Sequence, residues 1–241
     1  MRRAVAGALL LAMLLLAAPR VAWTQGVPAA AATAKAAAPV DLTGQWVSYI
    51  TEDWRFRMIT PPRGDYRGVP LTAEGRRRAD AWDPEADERA GAQCRAYGAG
   101  AIMRVPGRLR IAWNDDTTLR AEIDAGMQTR LFRFGNTAAP GPASWQGHSV
   151  ARWDTAGRSL TVVTRNLRAG YLRRNGVPYS EQAVVTEHFD VAPHPDGGRI
   201  LVVTTVVDDP GNLARPFVVS SNFKQESDAS KWSPSPCTSR W

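Results

Sequence analysis

The sequence predicts a mainly β protein whose strands close into one antiparallel barrel of about nine or ten strands. From residue 102 onward, runs in which apolar and polar side chains alternate follow one another, as in half-buried strands. Short turns that contain Gly or Pro separate these runs. Parallel strands would need long crossover connections, and none is evident, so antiparallel pairing is expected. Closure into a barrel removes the exposed edges of so large a sheet, and a β-sandwich is the alternative.

The first 40 residues are expected to lie outside the barrel. Arg2 and Arg3 precede an apolar run over residues 4–18, which is the pattern of a signal peptide, assigned to residues 1–25. An uncleaved membrane anchor is the alternative, although the run is short for a membrane span. Residues 26–40 are rich in Ala and lack aromatic side chains, which predicts a disordered linker. A single domain over residues 41–241 follows, in a periplasmic or secreted protein with no stable membrane insertion after signal removal.

Charge and cysteine content restrict the possible partners. The formal net charge is +7, and loss of the three arginines of the signal segment lowers it to about +4. Apart from residues 76–78 the arginines are dispersed, whereas a nucleic-acid-binding protein carries a basic stripe, so no nucleic-acid partner is expected. Cys94 and Cys237 are predicted to form a disulfide, which export would permit. Two free thiols are the alternative.

The N-terminal part of the domain is predicted to combine strands with one or two short helices. Residues 45–51 alternate and predict the first strand. Residues 53–60 alternate as well, which favours a bent strand or a tight two-strand unit. Thr72 is a suitable N-cap for a helix that ends before Pro84. A second short helical turn is expected over residues 85–93.

Strand-like runs make up the rest of the chain. Apart from a central hairpin they cover residues 102–105, 109–113, 118–124, 127–134, 183–191, 200–207 and 218–224. The central hairpin spans residues 144–167 and turns at residues 154–157. On its first arm, His148, Val150 and Arg152 share one face, and the residues between them share the other.

Three residues are candidates for acid–base chemistry. If His148 faces the barrel interior, it would act as a general base or orient a ligand, and a structural histidine is the alternative. Glu187 has apolar neighbours on its own face, and burial raises the pKa of a carboxyl group and suits it for acid–base work. A buried ion pair of Glu187 with Arg165 or Arg152 is equally compatible with the pattern. Tyr179 or Arg165 would stabilise developing negative charge.

The aromatic side chains favour a pocket for an apolar ligand. Nine tryptophans occur, several of them on or beside predicted strands, and a closed barrel of this size has interior room for a small molecule. Core packing is the alternative for most of them. The residues expected to contact a ligand are Trp46, Trp113, Trp145, Arg165 and Tyr171. Tyr171 and Tyr179 lie in the loop of residues 168–180, which is predicted to cover the mouth of the barrel as a lid.

Motifs of cofactor sites, metal sites and serine hydrolases are missing from the sequence. It contains no G-x-S-x-G, no Gly-rich phosphate loop and no dinucleotide fingerprint. Its three histidines are not spaced as metal ligands. Neither a cofactor nor a metal is therefore expected.

Several segments occur in an order that is typical of one protein family. They are residues 123–126, 144–153, 159–164, 176–180, 187–189 and 208–210. Their pattern, W-x-G-x-S, a later W, L-x-V-x-T, G-x-P-x-S and D-D-P, is similar to that of an uncharacterised family of exported bacterial proteins with a lipocalin-like β-barrel. The chain departs from that pattern at Tyr179 and His188, where the family often carries His and Arg. The resemblance implies an exported barrel with an internal pocket and implies no particular activity.

These expectations favour a periplasmic lipocalin-like protein that holds a small apolar or aromatic molecule in its barrel. A cofactor-free acid–base enzyme of the isomerase, lyase or cyclase type, using the same cavity, is the first alternative. An envelope-associated structural or partner-binding protein is the second. Geometry separates the first two, because the enzyme needs His148 and Glu187 to point into one cavity.

Overall fold

The computed structural model of the protein describes residues 32–135, 137 and 139–240. The strands in this part of the chain are β1 Gly44–Ser48, β2 Arg108–Asp115, β3 Thr118–Ile123, β4 Gln128–Phe134, β5 His148–Asp154, β6 Ser159–Arg165, β7 Gly170–Arg173, β8 Val177–Tyr179, β9 Val184–Pro193, β10 Arg199–Asp208 and β11 Phe217–Glu226. The α-helices are α1 Trp54–Met58, α2 Ala73–Asp80 and α3 Pro84–Arg89, and 3₁₀ turns cover Gln93–Tyr97, Ile102–Arg104 and Ala229–Lys231. The predicted signal segment and residues 26–31 of the predicted linker lie outside the described residues.

Nine of the described strands close into a barrel, which confirms the predicted fold class. The order around the barrel is β1-β11-β10-β9-β6-β5-β4-β3-β2, and β2 closes on β1. Neighbouring strands are antiparallel except β4 and β5, which run parallel with Phe132 opposite Ser149. The prediction of antiparallel pairing throughout is therefore wrong at this one pair. The segment that joins the two strands is too long for a tight hairpin turn, so it does not impose an antiparallel arrangement.

The segment predicted as a lid forms a separate two-stranded hairpin, β7–β8, outside the barrel. The hairpin contacts α2 and the 3₁₀ turn at Gln93–Tyr97. Its residues Leu172, Val177 and Tyr179 are buried in a second apolar core, which also contains Val185 of β9 and Val207 of β10. The segment is therefore a fixed hairpin that packs on one end of the barrel, and not the loop that was expected.

A run predicted as a strand, over residues 53–60, instead contains α1. The alternating apolar residues of this run do not form a buried face, because Trp54 and Met58 are exposed. The buried residue is Arg57, whose guanidinium pairs with Glu52. An alternating pattern normally indicates that the apolar side chains are buried and the charged ones exposed, and here a charged side chain is the buried one.

The remaining local elements follow mainly from short-range hydrogen bonds. The amide of Gly75 donates to the Thr72 hydroxyl at 2.9 Å, which confirms Thr72 as the N-cap of α2. Residues Ile102–Arg104, predicted as a strand, form a 3₁₀ turn instead. Its first amide, of Ile102, donates to the Gly98 carbonyl at 2.9 Å, so the chain is already coiled there.

The centre of the barrel is filled by side chains. Inward-facing positions are mostly buried and apolar, and Trp46, Phe132 and Phe189 are among the largest buried residues. The rings of Phe132 and Phe189 lie 5.3 Å apart across the interior. These rings occupy the space that the sequence assigned to a ligand.

The described part of the predicted linker is ordered against the barrel, so the prediction of disorder is wrong for residues 32–40. The amide of Lys35 donates to the Asp116 carbonyl at 3.1 Å. The indole of Trp153 donates to the Ala34 carbonyl at 2.8 Å. Val40 packs against the barrel core. Low hydrophobicity does not prevent order here, because the barrel supplies the apolar surface and the acceptors.

The predicted disulfide is present, and it joins Cys94 to Cys237 across 143 positions of sequence. It ties the C-terminal tail to the 3₁₀ turn at Gln93–Tyr97. Next to it, the Ser239 hydroxyl donates to Glu88 at 2.7 Å, which holds the same tail against α3. None of the helices in the described ranges is long and apolar enough to cross a membrane.

Candidate functional site

His148 and Arg165 lie on the outer face of the barrel. The register pairs them directly across β5 and β6. Their neighbours Ser149 and Thr164 are buried and point inward, whereas Arg165 is exposed. His148 Nε2 lies 3.2 Å from the Thr137 hydroxyl, and neither predicted residue faces a barrel cavity. The inward orientation considered for His148 is therefore wrong, and Arg165 does not face the interior in which the ligand was expected.

Glu187 points into the barrel and forms a buried ion pair. Its carboxylate accepts hydrogen bonds from both terminal nitrogens of Arg130, at 2.8 and 2.6 Å. Both side chains are fully buried. Arg130 also donates to Thr164 at 3.1 Å, and the Thr164 hydroxyl lies 2.8 Å from that of Ser149. The ion-pair alternative for Glu187 is confirmed, but its partner is Arg130 and neither Arg165 nor Arg152.

The acid–base pair that the enzyme alternative requires is not assembled. Glu187 lies opposite Val162, which lies opposite Ala151, and all three point inward. His148 lies on the same strand as Ala151 at an odd offset and therefore points to the other face. The wall of the barrel separates the two groups, so they cannot reach a common ligand atom.

Tyr179 is buried in the second core and its hydroxyl has no hydrogen-bond partner among the described residues. Burial raises its pKa well above the usual range. Gly98 and Gly170 lie so close to the ring that a Cβ at either position would clash with the hydroxyl. Tyr179 is thus a neutral packing residue at ordinary pH.

Two of the three tryptophans predicted to contact a ligand, Trp46 and Trp145, do not lie beside the third, Trp113. Trp46 is fully buried in the barrel core, and its indole donates to the Leu42 carbonyl at 3.1 Å. Trp145 precedes β5 and is half-buried under the guanidinium of Arg168, which lies 3.9 Å above its ring. Neither lines the same space as Trp113.

Trp113 belongs to a cluster of three aromatic rings at one end of the barrel, which we call the aromatic mouth. Its members are Trp113 on β2, Phe134 on β4 and Trp153 on β5, and all three are half-buried. Ring centroids are 5.7 Å apart for Trp113 and Phe134 and 5.2 Å apart for Phe134 and Trp153. Each residue occupies an inward-facing position near the end of its strand, where the barrel interior opens.

A cavity of about 310 Å³ lies at the aromatic mouth. One wall consists of Trp113, Trp153 and Leu119, and the other consists of the N-terminal segment. The lining residues of that segment are Lys35, Ala38, Val40, Asp41 and Leu42. Apolar rings beside one ammonium and one carboxylate form a mostly apolar site with a few polar groups at its rim.

A second cavity, of about 290 Å³, lies between α3 and the β7–β8 hairpin. Here the Tyr171 hydroxyl donates to Asp87 at 2.8 Å, and Arg95 donates to the other oxygen of Asp87 at 2.6 Å. Burial and the hydrogen bond to Asp87 raise the pKa of Tyr171 to about 12. Trp82 and Pro178 form apolar walls. Tyr171 therefore lines a cavity, but this cavity is not the one that contains Trp113.

Sequence reasoning missed Phe134, Trp153 and Arg130 as inward-facing residues. Arg130 has the same parity as Phe132 and Phe134 on β4, which is the signal that could have placed it inside. An arginine at such a position would ordinarily be assigned to the polar face, because its charge favours solvent. Asp87 and Arg95 lie in short helical segments with no periodicity that marks them.

The fold and these side chains define a closed, mostly antiparallel β-barrel with a filled centre and an aromatic mouth. Comparison with known protein families, with curated proteins and with solved structures gives no match. The resemblance to a family of exported proteins stays a prediction.

Proposed function

We propose that this protein binds a small apolar or aromatic molecule at the aromatic mouth of its barrel. The observation that carries the proposal is the contiguous group of half-buried rings, Trp113, Phe134 and Trp153, beside a cavity of about 310 Å³. A cavity of that size is at the lower end of the range for small-ligand sites. Trp113 and Trp153, which line the cavity, offer a ligand offset-stacked and edge-to-face contacts at little cost in side-chain entropy, and Phe134 packs against both rings.

The packing of the barrel interior supports a ligand site at the aromatic mouth over one deep in the barrel. A lipocalin-like protein of the kind expected would hold its ligand deep in the barrel, but Trp46, Phe132 and Phe189 fill that region. The aromatic mouth supplies apolar surface without displacing the core. Lys35 and Asp41 lie at the rim, where they can contact a polar substituent of the ligand.

An exported compartment belongs to the same proposal. The signal-like segment of residues 1–25 supports it, as does the disulfide, since such bridges persist mainly in oxidising compartments. The acid–base enzyme is not proposed, because the wall of the barrel separates His148 from Glu187. A structural or partner-binding role remains the alternative if no small molecule binds.

The test is binding of N-phenyl-1-naphthylamine, an uncharged aromatic dye whose fluorescence rises in apolar sites. We expect saturable one-site binding to the wild-type protein and at least tenfold weaker binding by Trp113→Leu and Trp153→Leu. Leucine keeps the positions apolar but removes the ring contacts, which are worth about 0.5–1.5 kcal/mol per pair beyond the area buried.

Trp54→Leu is the matched control, because Trp54 is 61% exposed on α1 and does not line the mouth. Melting temperatures of all variants establish that each is folded. Equal affinity for the dye in all four proteins would show that the aromatic mouth is not the site. No binding to wild type, for this dye and a panel of other apolar compounds, would favour the partner-binding role.

A further inference from the structure

Three buried arginines converge beside the barrel, and we call them the arginine cluster. They are Arg57 on α1, Arg104 in the 3₁₀ turn before β2 and Arg173 on β7, and their exposed fractions are 3%, 5% and 5%. All three line one cavity of about 20 Å³, which is room for roughly one water-sized atom. Buried arginines are rare unless carboxylates or other acceptors pair with them, so the cluster requires an explanation.

Only two carboxylates among the described residues are in contact with the guanidinium groups of the cluster. Arg57 pairs with Glu52, and Arg104 donates to Asp53 at 2.6 Å. Arg173 shares Asp53 at the longer distance of 3.9 Å. Three guanidinium charges thus contact two carboxylates. Asp65 also attracts Arg173, but its carboxylate already pairs with Arg55 and Arg67. The site carries an excess of positive charge.

Each member of the cluster also keeps a buried donor without an acceptor among the described residues. These donors are Nη2 of Arg57, Nη1 of Arg104 and Nε of Arg173. An unsatisfied buried donor is costly, and a charged one more so. Three of them, from three different elements around one cavity, indicate that an acceptor belongs there.

The remaining contacts hold the guanidinium groups in place. Nε of Arg57 donates to the Arg104 carbonyl at 3.0 Å, and Arg173 donates to the Arg67 carbonyl at 2.7 Å. The Arg173 guanidinium lies 4.0 Å above the ring of Phe56. Burial, and then repulsion by Arg104, lowers the pKa of Arg173 to about 10. An anion in the cavity would oppose both effects.

We infer that the arginine cluster is a binding site for a phosphate-type oxyanion, one oxygen of which enters the cavity and accepts from the three unsatisfied donors. Phosphate suits it because guanidinium groups bind its oxygens by charge-assisted hydrogen bonds. The cluster lies by Phe217, where β11 begins, and the aromatic mouth lies where β2, β4 and β5 end. This anion site is therefore separate from the proposed ligand site.

The test is isothermal titration calorimetry of the disulfide-bonded protein with inorganic phosphate in chloride-free buffer. We expect one saturable site, and at least tenfold weaker binding by Arg104→Lys and by Arg173→Lys. Lysine keeps the charge but loses the fork of donors. The control is Arg55→Lys, which changes an arginine of α1 that is half exposed and pairs with Asp65 outside the cavity.

A second variant separates anion binding from a purely structural role. Asp53→Asn removes a carboxylate that competes with the anion, so we expect it to bind phosphate more tightly than wild type. We also expect phosphate to raise the melting temperature of Asp53→Asn by more than that of wild type. A structural cluster would be destabilised by the same change without any gain from phosphate.

Methyl phosphate serves as a further arm of the titration. Binding of both phosphates would identify the terminal group of a phosphate monoester as the ligand chemistry, and binding of inorganic phosphate alone would identify the free ion. Absence of phosphate binding to wild type, or binding that all arginine variants retain, would overturn the inference. Equal heats and affinity with chloride would overturn it as well, because they would show a site without preference for an oxyanion.

Discussion

At the scale of the residue, Arg130 and Glu187 form an ion pair inside the barrel through two hydrogen bonds, and Thr164 accepts a third from Arg130. Desolvation of both ions is costly, so such a pair contributes little net stability but is expensive to break on one side. The loss of stability on removing one partner distinguishes a structural pair from an active-site carboxylate, whose loss removes activity and leaves the fold intact.

Glu187→Gln is therefore expected to destabilise the protein by about 3–5 kcal/mol, because it leaves the Arg130 charge buried and unpaired. The double variant Arg130→Met/Glu187→Leu should recover most of this loss, since it removes both charges and leaves apolar groups in the core. Urea unfolding of Arg130→Met, Glu187→Leu and the double variant measures the coupling. If Glu187→Gln proves as stable as wild type, the pair does not have the structural role described above.

A second residue-scale prediction concerns Tyr171 at alkaline pH. Its pKa is raised to about 12 in the folded protein, from about 10 in the unfolded chain. The folded state thus holds this proton more tightly, so its contribution to stability is complete below pH 10 and is lost as the pH rises toward 12. We expect Tyr171→Phe to lose less stability than wild type over that interval, measured by urea unfolding at pH 9 to 11.5. Identical pH profiles would contradict the assignment.

At the scale of the element, the β7–β8 hairpin depends on glycines that face Tyr179. A Cβ at Gly98 would clash with the Tyr179 hydroxyl and lie 2.9 Å from the Trp145 carbonyl oxygen. The hairpin can therefore pack on its neighbours only where these positions lack side chains. This packing also explains why the segment is a fixed hairpin and not a loop.

Gly98→Ala is expected to lower the free energy of unfolding by about 1–3 kcal/mol through overpacking. Tyr179→Phe alone should be neutral or slightly stabilising, because it removes a buried hydroxyl that lacks a partner, and it should relieve part of the Gly98→Ala defect. The control is Gly141→Ala, where a Cβ meets no atom within 4 Å. Thermal unfolding of the four variants provides the measurement, and a strongly destabilising Tyr179→Phe would argue for an unseen partner of the hydroxyl.

At the scale of the whole molecule, the disulfide connects the C-terminal tail to the helical side of the domain. The bridge closes a loop of 143 positions that includes β2 to β11. Closing so long a loop restricts the unfolded chain more than it changes the native one. Ser239 and Glu88 hold the tail locally, so reduction need not release it completely.

Removal of the bridge in Cys94→Ser/Cys237→Ser is expected to cost roughly 3–5 kcal/mol in the chain-entropy description. The urea midpoint of the wild type should fall by the corresponding amount when a reductant is added, while that of the double variant should not respond to it. A reductant effect of equal size on both proteins would mean that it does not act through this disulfide.

Features that depend on residues close together in the sequence could be predicted, and features that depend on contacts between distant segments could not. The strands β2 to β6 and β9 to β11 were located closely because apolar and polar residues alternate along them, whereas β7 and β8 were predicted as a loop. The Thr72 cap was found because its hydrogen bond is local. The alternation of residues 53–60 led to a wrong strand prediction, because Arg57 is buried through its ion pair with Glu52, which the pattern does not show. Trp113 was predicted to contact a ligand from its residue type, but only the closed barrel brings Phe134 and Trp153 to its side.

By itself, the sequence determined the class of fold, most strand boundaries and the pairing of Cys94 with Cys237, because periodicity and turn residues act over a few positions and only two cysteines were available. Only the tertiary structure decided which face of β5 turns inward, and with it the separation of His148 from Glu187. It also decided that the barrel centre is full, and it brought Arg57, Arg104 and Arg173 from three distant segments to one cavity. Such contacts depend on barrel closure and register, which no local pattern encodes.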